Sequence, residues 1–165
     1  MRNYWSKRFR LEESELTNAG YGGSLTESGQ FETEAGIAFY ENDLFGHGAL
    51  ACVTNTKNPI RGAVELARDQ APGPDQNGRI PPTLLAGPGA DRFIAQRNLK
   101  SPENLISSKS LKTHSKYSHI VNKRAAEESS EHNSKRQRLD DKKFDTVGAI
   151  GLTETAVGLG QTWYC

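Results

Sequence analysis

Between Phe31 and Phe39 the chain alternates, with Phe31, Thr33, Ala35, Ile37 and Phe39 on one side and Glu32 and Glu34 on the other. That period of two predicts a β-strand. Glu41-Asn42-Asp43 supplies turn chemistry. Gly48-Ala49-Leu50-Ala51-Cys52-Val53 follows as a second apolar strand, so the two read as a hairpin in a buried sheet. Their many small residues predict close packing of another layer. Asn58-Pro59 reads as a helix start, and Ile60, Ala63, Val64 and Ala67 fall on one helical face up to about Asp69. Ala71–Gly78 reads as a loop, Thr83–Ala86 as a short strand, and Gly89–Gln96 as a helix burying Ala90, Phe93 and Ile94. Upstream, Gly20, Gly22 and Gly23 follow Asn18, which predicts a tight loop over Leu16–Ser24. From Asn98 to Lys143 apolar residues are few, and Ser, Lys, Asn, Glu and His dominate. Such a stretch reads as a mobile, exposed loop, because it buries too little to offset its ordering entropy. Strand character returns at Thr146–Leu152.

Composition supports one folded part beside a disordered part. The chain has 165 residues, 35% of them hydrophobic, and a mean hydropathy of -0.70. A formal net charge of +1 gives no overall field that would argue for nucleic acid or membrane as a partner. Two cysteines, Cys52 and Cys165, make no disulfide framework; a reducing, intracellular compartment is the default expectation, with Cys52 a buried small hydrophobe. The basic start, Met1–Arg10, lacks the apolar core of a secretory signal, and no apolar run approaches a membrane span.

Asp145-Thr146 carries the most chemistry. A cut between them frees the α-amino group of Thr146, which places a base on the same residue as a hydroxyl. Before the cut, the Thr146 hydroxyl could attack the Asp145 carbonyl, given a strained backbone at the scissile bond. Gly148 permits close backbone approach nearby. Without its flanks, Thr146 would be an ordinary threonine opening a strand.

The flanks carry a resemblance. Leu11-Glu12-Glu13-Ser14-Glu15-Leu16-Thr17-Asn18-Ala19-Gly20-Tyr21-Gly22, Asn58-Pro59-Ile60, Gly78-Arg79-Ile80-Pro81-Pro82 with Leu84, Gly87, Gly89, Ala90 and Arg92, and Asp145-Thr146-Val147-Gly148-Ala149 occur in order over residues 11–152. Together they resemble threonine aspartase (taspase), of the asparaginase type of N-terminal nucleophile hydrolases. The Arg79–Pro82 segment and the basic loop are the traits closest to the taspase branch. The resemblance implies an α+β fold, part of a four-layer αββα sandwich. It also implies a precursor that cuts itself between Asp145 and Thr146 into α and β subunits, able to pair as an α/β heterodimer. The implied activity is cleavage of protein substrates after aspartate, with Thr146 as nucleophile and its α-amine as base. The smaller relatives, which hydrolyse asparagine or isoaspartyl peptides, are the alternative of the same fold; an inactive partner or fragment is the non-enzyme reading. Asn18 and Gly20 would lie near the nucleophile. No organic cofactor or catalytic metal is implied; backbone carbonyls of Leu11–Tyr21 resemble the family's sodium-binding loop.

The organisation that follows is an unmatched start (1–10), an α-subunit core (11–98), a disordered basic loop (99–143), the cleavage site and nucleophile strand (144–152), and an unmatched tail (153–165). The family's opening strand, its His-Gly-Gly loop and the long helix after that loop find no match in Met1–Arg10. The Ser/Thr-Ser/Thr-Gly-Gly strand expected after the nucleophile finds none in Thr153–Cys165. The chain therefore reads as an internal piece of a longer enzyme, weakly active or inactive alone, because a nucleophile without an oxyanion hole lacks a major catalytic contribution.

Two basic clusters, Lys123-Arg124 and Lys135-Arg136-Gln137-Arg138, are spaced as a bipartite nuclear import signal on an exposed loop. They predict importin as a partner and a distribution between nucleus and cytoplasm. Direct nucleic-acid binding is disfavoured, since Glu127, Glu128 and Glu131 dilute the charge and no aromatics are interleaved. His47, His114, His119 and His132 lack Cys or paired carboxylates at ligand spacing and read as solvated, not as a metal site. Glu32 and Glu34 read as two residues on the polar face of a strand rather than a catalytic pair.

Overall fold

A computed structural model describes residues 11–102, 104–128, 147–152 and 156–162, with 127–128 and the last two stretches described as backbone. The hairpin is present. Strand β1 (Thr33–Glu41) pairs antiparallel with β2 (Leu44–Val53). Asn42 and Asp43 turn between them at φ 50° and 60°. Two consecutive left-handed residues match the twist of a hairpin, and Asn and Asp tolerate that region better than most. The Tyr40 hydroxyl donates to Asp43 Oδ1 at 2.9 Å and ties the turn to its strand.

Near its other end the hairpin is irregular. Thr33 pairs with Val53 but Ala35 pairs with Leu50, so β2 has one extra residue there. Cys52 takes φ 52° at this bulge and is half-buried rather than an interior hydrophobe. The bulge has a packing consequence. Leu50 and Val53 are three apart, and strict alternation would put them on opposite faces. With the extra residue both are buried, at 1% and 0% exposure.

Helix α1 (Pro59–Gln70) lies across β1 and β2. The expected face is the buried one: Ile60, Ala63, Val64 and Ala67, joined by Leu66. The small residues of β2 let the helix approach. A side chain at Gly48 would begin 2.5 Å from the Ala63 carbonyl oxygen and 2.6 Å from the Ala67 nitrogen. Strand β3 (Leu84–Ala86) adds parallel to β2, and helix α2 (Pro88–Gln96) puts Ala90 and Ile94 into the same core, with Phe93 half-buried beside it. Arg97 bridges Glu65 at 3.5 Å and pairs with Asp69, fastening the end of α2 to α1.

The strand expected after Thr146 is β4 (Val147–Leu152), and β5 (Ala156–Thr162) returns antiparallel to it. The sheet order is β3-β2-β1-β5-β4. Part of the tail that matched nothing in sequence thus forms the strand between β1 and β4. The fold is α+β, with one five-stranded sheet and a helical layer over its β1–β2–β3 part.

Residues 99–143 are corrected in part. Ser108–Glu128 forms helix α3 instead of an unstructured loop, and 129–143 lie outside the described residues. Before the helix, the Leu99 carbonyl accepts from Thr56 Oγ1 at 2.9 Å, and Ser101 Oγ accepts from the Lys57 N–H at 3.0 Å. The helix itself docks on the loop preceding β1. Ser110 Oγ donates to the Gly23 carbonyl at 2.6 Å, and His114 Nε2 is 3.1 Å from the Glu27 carbonyl. Ser107 and Ser110 are buried at 0% and 4%, their hydroxyls 2.9 Å apart. Composition pointed the other way because this docking face is polar. Its order comes from hydrogen bonds to backbone carbonyls, which leave no apolar period. No helix among the described residues is long and apolar enough to cross a membrane.

Candidate active-site end of the sheet

The register brings several segments to one end of the sheet. Val147 pairs with Thr162, and Gly148 with Gln161, which in turn pairs with Gly36. The start of β4 therefore shares an end with the start of β1, the end of β2 at Val53 and the end of β3 at Ala86. Val147 lies two strand spacings from β1, about 10 Å across the sheet. Asp145 and Thr146, which immediately precede β4 in the chain, lie outside the described residues.

The loop bearing Asn18 and Gly20 is at this same end. Gly20 has φ 56°, and a side chain there would begin 2.2 Å from the Lys57 carbonyl oxygen and 2.3 Å from that of Glu12. Only glycine combines that conformation with so close a backbone crossing. Asn18 Oδ1 accepts from both the N–H and the hydroxyl of Ser24, at 2.9 and 3.0 Å. Its side chain closes the Leu16–Ser24 loop that the sequence predicts. Lys57 lies over the Tyr21 ring with its Nζ 5.0 Å from the centroid.

Glu12 was missed as a positioning residue. It is 1% exposed, and its Oε1 accepts the Ile60 N–H at 3.4 Å at the start of α1. Asn58 makes no side-chain cap there. A carboxylate at a helix N-terminus satisfies an orphan donor and opposes the positive end of the dipole. Glu12 and Ile60 are forty-eight residues apart, so no local motif announces the contact. Asp91 was missed too. It accepts from the Thr54 N–H at 2.9 Å and the Thr54 hydroxyl at 2.6 Å, while its carbonyl accepts from Asn55 Nδ2 at 2.8 Å. Glu12 and Asp91 therefore brace both flanks of the turn that leads from β2 into α1.

The Ser14 and Thr17 carbonyl oxygens converge beside Gly22, each within 2.4 Å of where its side chain would begin. These are hard oxygen donors, and they fit a hard cation such as sodium in kind. No group of three or more His, Cys, Asp or Glu able to hold a metal occurs among the described residues. His47 stacks near Phe45, with ring centroids 6.5 Å apart, and His119 is exposed. His114 is half-buried against Glu27 rather than solvated. His132 lies outside the described residues. Glu32 and Glu34 are half-buried and alternate with buried Phe31, Thr33 and Ala35, as strand positions do. Lys123 and Arg124 are exposed near the end of α3, not on a loop; Lys135, Arg136 and Arg138 lie outside the described residues.

The family model described as Asparaginase matches residues 9–157, most of the chain and every element from the Glu12 turn through β4. The chain belongs to the asparaginase family of N-terminal nucleophile hydrolases.

Proposed function

We propose that this chain is a threonine-type endopeptidase of the family, cleaving after aspartate and maturing by cutting itself between Asp145 and Thr146. The observation that carries the reading is that β4, the strand this pair immediately precedes in the chain, lies at the edge of the described sheet and starts at the end shared with the Asn18–Gly23 loop. The Thr146 hydroxyl attacks the Asp145 carbonyl carbon, the peptide C–N bond breaks, and an ester forms with release of the Thr146 amine. Water hydrolyses that ester, leaving the Asp145 carboxylate and a free N-terminal threonine. The freed amine then accepts the hydroxyl proton during turnover. The Ser14 and Thr17 carbonyls would hold a sodium ion whose charge supports the loop. Turnover also requires an oxyanion hole; in this reading the chain alone is weakly active or inactive.

The face of the sheet turned away from α1 fits the four-layer reading. Gly36, Ala38, Ala49 and Ala51 are half-buried there, beside exposed Tyr40 and Phe45. A second sheet packs closely on small residues.

Mass spectrometry of the purified chain tests the central step. Cleavage between Asp145 and Thr146 is expected, and Thr146→Ala abolishes it; cleavage that persists in that variant removes Thr146 as the nucleophile. Turnover of asparagine or a β-aspartyl dipeptide in place of an aspartyl endopeptide would assign the asparaginase or isoaspartyl peptidase alternative. We further propose that importin reads Lys123, Arg124, Lys135, Arg136 and Arg138. A reporter carrying residues 120–140 is expected to enter the nucleus, and one that stays cytosolic excludes the signal.

A further inference from the structure

Helix α3 has a second, basic face that the proposed hydrolysis does not use and from which Lys109 reaches the loop before β1. Ser107, Ser110, His114 and Ser118 mark the side turned to the protein, where all four are buried or half-buried. At 3.6 residues per turn, Lys109, Lys112, Lys116, His119 and Lys123 fall in a sector of about 80° on the opposite side. All five are exposed. No Asp or Glu occurs in α3 before Glu127. The row spans about 21 Å of helix, with successive rises of about 4.5 and 6 Å.

We propose that this row is a docking surface for an extended acidic segment of a partner protein. The argument is charge complementarity and shape. An extended chain projects carboxylates from one side every ~6.6 Å, wider than the row's average of about 5.3 Å, and both are straight. Lysine ammonium groups on long flexible stems adjust to the remaining mismatch. Lys109 also donates to the Glu15 carbonyl at 2.8 Å, and the Lys116 Nζ is 5.7 Å from the Tyr117 ring centroid. Lys123 has a partner within the chain as well, and each ammonium has three donors, so such contacts leave capacity for a carboxylate. Nucleic acid fits less well. The row holds no arginine fork for phosphate and only the His119 imidazole for stacking, and the chain's net charge is only +1. The surface shares Lys123 with the proposed import signal, but that signal also includes Arg124 and the cluster at Lys135–Arg138, whereas Lys109, Lys112, Lys116 and His119 belong to the row alone. It also does not depend on chemistry at Thr146.

Fluorescence anisotropy on the full chain tests the proposal, with a labelled ten-residue oligoglutamate peptide and labelled single- and double-stranded DNA as probes. The peptide is expected to bind, more weakly as salt rises. The variant Lys112→Gln/Lys116→Gln/Lys123→Gln is expected to weaken it by about tenfold or more, whereas the same three positions changed to Arg retain it. Circular dichroism reports whether α3 survives. Should the triple Gln variant lose helix, the three single Gln variants carry the test, each weakening binding by a smaller step. Unchanged affinity in the Gln variants, no peptide binding by the wild-type chain, or tighter binding of DNA than of peptide would each overturn the assignment.

Discussion

Helix α1 lies on the sheet through Ile60, Ala63, Val64 and Ala67, whereas α3 lies on the loop before β1 through Ser107, Ser110 and His114. The first interface removes apolar surface from water and excludes all but glycine at Gly48. The second is made of hydroxyl, imidazole and ammonium contacts to backbone carbonyls, from Ser110, His114 and Lys109. Apolar burial is non-directional and spread over many atoms. Hydrogen bonds are directional and each contributes modestly in net terms. The sheet with α1 and α2 should therefore unfold as one unit, and α3 should detach on its own at lower cost.

Breaking the apolar interface should have the largest effect. Leu50→Ala removes a side chain 1% exposed beneath α1 and α2, and a loss of about 2–5 kcal/mol is expected. Denaturant unfolding should show a lower midpoint with an unchanged slope. A midpoint shift confined to α3 would contradict the two-unit picture. Ser110→Ala should act on the other interface. It leaves the Gly23 carbonyl and the Ser107 hydroxyl without a partner they have now, a loss of about 1–3 kcal/mol. Hydrogen exchange should then accelerate in α3 and the loop before β1, with β1 and β2 still protected; uniform acceleration would mean that α3 is part of the main cooperative unit.

The smallest effect belongs to the loop between α1 and β3. The Arg79 N–H, then its side chain, holds the Asp75 carboxyl below its ordinary range. A depressed carboxylate contributes stability that is present above its unfolded pKa and lost as pH falls through the folded value. Asp75→Asn should therefore speed exchange of the Arg79 amide at neutral pH and leave the melting temperature unmoved. The wild-type loop should approach that behaviour only in acid. Equal protection in both chains would remove the role assigned to Asp75.

The comparison also explains what could be read beforehand. Hairpin, α1, α2 and β3 were legible because each carries its own signal: alternation, Asn-Asp at the turn, proline at a helix start, a 3.6-residue apolar face. Helix α3 was not, since serines and a histidine facing carbonyls have the same composition as a disordered tract. Glu12 and Asp91 escaped for another reason. Their partners, Ile60 and Thr54, are forty-eight and thirty-seven residues away. The bulge at Cys52 was hidden as well, because it exists only as a register shift against β1.

From the sequence alone came the hairpin, α1, β3, α2 and β4, the order of the family motifs and the Asp145-Thr146 pair, because these depend on local spacing and residue chemistry. Tertiary structure decided the rest. It placed β5 between β1 and β4, brought the start of β4 to the end that holds the Asn18–Gly23 loop, and ordered α3 by contacts to backbone carbonyls. Those outcomes depend on which distant backbone groups meet, and a side-chain pattern read along the chain does not encode that meeting.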